Sequence, residues 1–286
     1  MKRITCKSCI LGTCLFLVLG MLLMTLPLSA EKKEIIFATT TSTQDTGLLD
    51  ELVPRFEKMT GYVVKTVAVG SGQALAMGRR GEADVLLVHS PLEESMFMVG
   101  GFGIDRRLVM HNDFLVVGPP DDTAKVKGGK TVADAFKKIA SAQALFVSRG
   151  DKSGTHSKEL AVWKNAGIDA QDLKTRLETG LGMGQTLMVA SEKKGYTLTD
   201  RATFLVLKKN LFLEIMVEGD PSLLNIYHVI QVNSENWPEV NGKGAKRFAD
   251  FLVSKKTHDL IGTFGVQKFG SALFIPDAGK KEEDLK

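Results

Sequence analysis

The sequence predicts an α/β protein of two lobes, on three observations. From residue 34 to residue 117 short apolar runs alternate with helical periods. The alternation stops at Val116-Val117-Gly118-Pro119-Pro120, where two prolines after a glycine cannot continue an interior strand. A second strand and helix set then follows, until an apolar run at 227–232 leads back to helices. The first lobe is therefore residues 31–117 with 232–286 and the second is residues 118–231, joined by a two-strand hinge near Val117 and Val232.

Residues 1–30 stand apart from the fold. Lys2, Arg3 and Lys7 give a basic start, residues 10–28 are almost wholly apolar, and Leu28-Ser29-Ala30 puts small residues before Glu31-Lys32-Lys33. This is the pattern of a secretory signal peptide cleaved after Ala30; a retained N-terminal anchor is the alternative that the apolar length allows. Cys6, Cys9 and Cys14 all lie in this segment, and none follows the apolar run where a lipid-modified cysteine would stand. The mature chain is thus expected to be released, without a disulfide or a cysteine metal site. Removing Lys2, Arg3 and Lys7 takes the formal charge from +4 to +1, since no Asp or Glu lies in residues 1–30. With no Lys/Arg stripe interleaved with aromatics downstream, nucleic-acid binding is excluded. No internal repeat occurs, and only the tail, residues 280–286, reads as frayed and solvated.

In the first lobe, residues 35–38, 62–69, 83–88 and 107–117 read as strands, the first three separated by helices. That is a βαβ arrangement with a mainly parallel sheet, whose crevice forms from loops at the carboxyl ends of the strands. Three loops fall there: residues 39–43, Gly70-Ser71-Gly72 and His89-Ser90-Pro91. The first is a run of five hydroxyl residues that enters an amphipathic helix marked by Leu48, Leu49, Leu52, Val53 and Phe56. Hydroxyls, free N–H groups and the helix dipole converge on one spot, which suits a small anion; capping by a single Ser or Thr is the alternative. In the second loop the glycines permit close backbone approach and Ser71 adds a hydroxyl, unless it is a tight turn with a Ser cap.

The second lobe begins with a helix at 131–142 and a strand at 144–148. Arg149-Gly150-Asp151-Lys152-Ser153-Gly154-Thr155-His156 follows and enters a helix at 153–165, its apolar side marked by Leu160, Ala161 and Trp163. The donor fork of Arg149 suits an oxyanion; a surface ion pair with Asp151 or Glu159 is the other reading. Gly182-Met183-Gly184 opens a helical run over 187–194, Tyr196 and Thr197 lie at the crevice or in the core, and Asp200 caps a helix over 201–209. Strands at 213–217 and 227–232 and helices over 244–264 complete the chain.

Thr39-Thr40-Thr41-Ser42-Thr43-Gln44-Asp45-Thr46-Gly47, Val69-Gly70-Ser71-Gly72-Gln73, Ala83-Asp84-Val85-Leu86-Leu87-Val88-His89, the Arg149 loop and Gly182-Met183-Gly184-Gln185-Thr186, in that order, resemble the tungstate-binding proteins of bacterial ABC importers. The resemblance covers nearly the whole mature chain. It implies the type II periplasmic-binding-protein fold, two α/β lobes around a ligand cleft. It further implies a periplasmic, monomeric protein without a cofactor, which binds tungstate or molybdate and hands it to a membrane permease with its ATPase. Carried over from the family, the anion-binding residues are Thr40, Thr41, Ser42, Ser71, Arg149, Ser153 and Thr155. One departure is Ala202, where many relatives are expected to carry Gly.

The competing class is an enzyme, a hydrolase or phosphoryl-transfer protein using Ser71 or the residue 39–43 loop. Against it, the glycine two before the serine of a nucleophile elbow is missing, and no G-x-x-x-x-G-K-[ST] occurs. His89, His111, His156, His228 and His258 are scattered, and His156 with Glu159 reads as a solvated pair on one helix face. Tungstate and molybdate are deprotonated dianions that need donors only, whereas phosphate carries a proton that seeks an acceptor. Thr40, Ser42, Ser71, Thr155 and Arg149 form a donor set, while Asp45 is read as serving its own helix N-terminus and Asp151 as a turn residue.

Overall fold

A computed structural model describes residues 33–285; the signal-peptide reading, with its cleavage after Ala30 and with Cys6, Cys9 and Cys14, lies outside the described residues. The chain forms β1 (Glu34–Thr40), α1 (Thr41–Asp45), α2 (Leu48–Thr60), β2 (Val63–Val69), α3 (Ser71–Arg79), β3 (Val85–Val88), α4 (Pro91–Val99) and β4 (Gly103–Gly118). It continues through α5 (Val132–Ser141), β5 (Phe146–Ser148), α6 (Gly154–Asn165), β6 (Arg176–Glu178), α7 (Met183–Lys193), β7 (Thr197–Asp200), α8 (Arg201–Leu207), β8 (Glu214–Val217) and β9 (Leu224–Val232). Helices α9 (Gly242–Leu252), α10 (Lys255–Thr263) and α11 (Val266–Phe269) precede the short strand β10 (Ile275–Pro276).

The main sheet runs β10-β4-β9-β3-β1-β2, and β7 and β8 also pair with β4. It is mixed rather than mainly parallel: β1 is parallel to β2 and β3, but β9 is antiparallel to both β3 and β4. The reason is the two long strands β4 and β9, which run opposite ways and hydrogen-bond to each other. Strand β4 pairs with β9 as far as Asp113 and with β7 from Phe114, so one strand belongs to both halves of the sheet. Each half has its own aromatic core. Phe248 packs tilted against Phe37 and edge-on against Phe56, with centroids at 4.7 and 4.9 Å, on one side; Phe136, Phe146 and Trp163 pack at 4.3–5.1 Å on the other. Such pairs add about 0.5–1.5 kcal/mol each beyond burial of their area.

Three local expectations change. Gly47, at φ 80°, breaks the chain between α1 and α2, so the helix that meets the hydroxyl cluster is the five-residue α1 and not the amphipathic helix. On α6 the buried side is Thr155, Glu159, Val162 and Trp163, and Leu160 is exposed. Glu159 is no solvated partner of His156: it is buried, 2.8 Å from Arg176 Nε and 2.6 Å from the hydroxyl of Ser148. Residues 280–284 are exposed, as expected of the tail, while two acidic residues near the end are tied to the core. Glu282 accepts from Arg106 and lies 3.1 Å from His228 Nε2, and Asp277 pairs with His111 at 2.5 Å.

Candidate functional site

Strand β1 ends in Thr39 and Thr40, which turn inward. Thr39 gives its hydroxyl to the Leu87 carbonyl. Thr40 caps α1, accepting from the Thr43 N–H, and its Oγ1 lies 3.1 Å from Ser42 Oγ and 2.7 Å from Thr43 Oγ1. Thr40, Ser42 and Thr43 are buried, and the Tyr227 hydroxyl of β9 reaches Ser42. Ser71, the first residue of α3, is also buried and accepts from the His89 N–H at 3.3 Å, which leaves its own hydroxyl proton free to donate.

Arg149 follows β5 and is 2% exposed. It donates through Nη2 to Thr41 Oγ1 at 3.4 Å and to Asp151 Oδ2 at 2.5 Å, and through Nε to the Leu181 carbonyl. The ion pair with Asp151 is thus real but buried, and it does not stop Arg149 from reaching the hydroxyl loop of the other half. Asp151 also accepts the Ser153 N–H, and Ser153 caps α6 by accepting from His156 N–H. Thr155 is buried in the first turn of α6, and its hydroxyl has no hydrogen-bond partner among the described residues.

Between these two groups runs a seam of glycines. A Cβ on Gly72 would lie 2.6 Å from the Lys152 carbonyl oxygen, and one on Gly154 2.7 Å from the carbonyl oxygen of His89, closer than side chains tolerate. A Cβ on Gly70 would lie 3.1 Å from Ser153 Cβ, and one on Gly184 3.1 Å from Asp45 Oδ2. Asp45 is the last residue of α1, so it does not serve its own helix N-terminus; its carboxylate accepts the N–H of Gly184 at the start of α7. Burial raises the Asp45 carboxyl, against the lowering effect of that bond and of Arg149.

Acceptors stand near the expected donors as well: Asp200 feels Arg149, and Asn225 donates to Tyr227, whose hydroxyl reaches Ser42. Asp200 Oδ2 is buried without a hydrogen-bond partner among the described residues, and the side chains of His89 and Asn225 are buried against each other. Asp200 does cap α8, through Oδ1, but its second oxygen is unused. Burial, then Arg149, lowers His89 to about 3, so the ring is neutral; burial pushes the Tyr227 phenol up, so it keeps its proton. The sequence reading gave Asp200 a capping role, which the structure shows, and did not foresee its unused oxygen. Asn225 and Tyr227 carried a usable signal, two polar groups at alternate positions of a strand and so on one face. Tyr196 and Thr197 are not at the site: the Tyr196 hydroxyl bonds Asp122 and the Ala124 N–H, and Thr197 donates to the Val147 carbonyl. No histidine base reaches Ser71, whose contact with His89 is to the main chain.

A family model described as the PBP superfamily domain matches residues 27–256. The tungstate-binding protein TupA of Peptoclostridium acidaminophilum is 49% identical over 251 residues, 87% of each chain. Among solved structures, the tungstate ABC transporter protein from Geobacter sulfurreducens superposes with a TM-score of 0.73 at 42% identity, covering 81% of this chain and 98% of that one. The tungstate-binding protein TupA from Desulfovibrio alaskensis G20 gives 0.71 at 45% identity, covering 86% and 99%.

Proposed function

Because the chain belongs to the PBP superfamily and, within it, to the family of the tungstate-binding proteins, we propose that it captures tungstate between its two lobes and delivers it to the membrane permease of an ABC importer. It is a solute-binding protein and not an enzyme. The observation that carries the reading is Arg149, a buried cation that crosses the glycine seam to the Thr41 hydroxyl, while the Thr155 hydroxyl at the start of α6 has no partner among the described residues. An oxyanion at this point takes the arginine fork from one lobe and hydroxyls from the other, so it favours the conformation that brings both together. The ligand residues in this reading are Thr40, Thr41, Ser42, Ser71, Arg149, Ser153 and Thr155. The hinge in this reading lies near Val117 and Val232, and it is supported by the change of partner of β4 between Asp113 and Phe114. The protein works as an exported monomer, its signal peptide removed after Ala30.

Competition calorimetry with tungstate, molybdate, sulfate and phosphate tests this. Tungstate is expected to bind best, with molybdate its nearest rival because the two ions share shape and charge. Arg149→Gln is expected to weaken tungstate by about 1.5–3 kcal/mol, the worth of a charge-assisted hydrogen bond. Phosphate binding most tightly, or an unaltered affinity in Arg149→Gln, would defeat the reading.

A further inference from the structure

A dianion site should not contain an ionised carboxylate with a free oxygen, and Asp200 stands close to the proposed site, within the field of Arg149, with one oxygen unused. Its residue is fully buried, Oδ1 is taken by the Thr203 N–H at 2.9 Å, and Oδ2 has no partner among the described residues. The Thr203 hydroxyl beside it is not in hydrogen-bonding geometry. Asp200 stands at the junction of the lobes, paired across from Phe114, the residue at which β4 changes partners. From β4, Asn112 donates to Oδ1 at 3.4 Å; Asn225 of β9 links Asn112 to the Tyr227 hydroxyl, and that hydroxyl reaches Ser42 in the proposed anion site. The charged and titratable groups that act on Asp200 are Arg149 and Tyr227. Arg149 is shared with Asp151, and the neighbouring Arg201 is drawn away to Asp113 and Glu218.

We propose that Asp200 keeps its proton in the occupied site and turns that O–H onto the captured oxyanion. The proposal rests on the oxyanion reading above and deepens it. A buried carboxyl with one orphaned oxygen and no cation of its own is more stable neutral, and burial does raise this group against the pull of Thr203, Arg149 and Asn112. Neutral, it is one more donor, suited to an anion with no proton. Ionised, it would accept, and would select an anion that still carries a proton, such as hydrogen phosphate. The protonation of one residue therefore decides between the two anion classes.

Infrared difference spectroscopy of the full mature chain, with and without tungstate, reads this directly. A carboxylic-acid C=O band is expected in the tungstate-loaded protein, perturbed by loading, and absent in Asp200→Asn, which keeps the cap and offers an amide N–H in place of the acid. Asp45→Asn serves as control and should retain the band. Calorimetry should find tungstate weakened about tenfold in Asp200→Ala, which removes the donor, and weakened less in Asp200→Asn, whose amide N–H stands in for it. Loss of the band in Asp45→Asn rather than Asp200→Asn, an ionised Asp200 in the loaded protein, or tungstate binding tighter by tenfold or more in Asp200→Asn would overturn it. Should Asp200→Asn fail to fold, carbon NMR of wild-type protein labelled at the aspartate carboxyls still distinguishes acid from carboxylate. Wild-type protein that fails to bind tungstate in the same calorimeter sinks the functional reading instead, a separate result.

Discussion

At the residue scale, single side chains carry more than one duty, and this limited what the sequence could disclose. The place of Arg149 between a strand and a glycine-rich turn was legible, and the structure puts it there, after β5. Asp200 and Asp45 were not, since a helix cap and a helix end account for them locally and their second partners come from distant parts of the chain. His89 gives a prediction at this scale. Its ring is fully buried against Tyr227 and lowered from 6.5 to about 3. As pH falls through 6.5 the unfolded chain takes up a proton there and the folded chain does not, so the folded state loses stability until about 3. The contribution is intact above 6.5. Urea denaturation of the ligand-free protein should show about 2 kcal/mol lost between the ordinary histidine value and about pH 5, and His89→Gln should remove that part of the pH dependence. Identical pH profiles for the two proteins would mean that the ring is open to solvent protons.

At the element scale, existence and order were legible and pairing was not. Strands and helices alternate as the apolar periods demand, but period does not reveal that β9 runs antiparallel between β3 and β4, a fact set by long-range register. The division of the Thr39–Gly47 stretch into a short helix and a longer one was hidden for a different reason: it turns on the positive φ of Gly47. The starts of α3, α6 and α7 face the opposite lobe through Gly70, Gly72, Gly154 and Gly184. Gly154→Ala should therefore leave each lobe folded and prevent the start of α6 from seating on the His89 carbonyl. Tungstate affinity is expected to fall at least about tenfold, equivalent to about 1.4 kcal/mol, with a thermal midpoint close to wild type. Wild-type affinity in that variant would show that the seam yields at no cost.

At the scale of the whole molecule, two cores are connected through β4, which contributes to both, so one lobe can turn against the other while each keeps its interior. Small-angle scattering is expected to record a smaller radius of gyration on saturation with tungstate, and a still larger radius in tungstate-loaded Gly154→Ala than in loaded wild type. No change with ligand in wild type would argue for a site that does not depend on closure. The glycine seam has one more consequence, which concerns disorder rather than contact. Ordering a long polar side chain at a closing interface forfeits about 0.5–1.5 kcal/mol of rotamer freedom. Glycines have no rotamers to lose. Backbone meeting backbone at Gly72 and Gly154 lets the lobes come together without that entropic loss, so the few hydrogen bonds of one small ion suffice to hold them, and an equally small disturbance at the permease suffices to let the ion go.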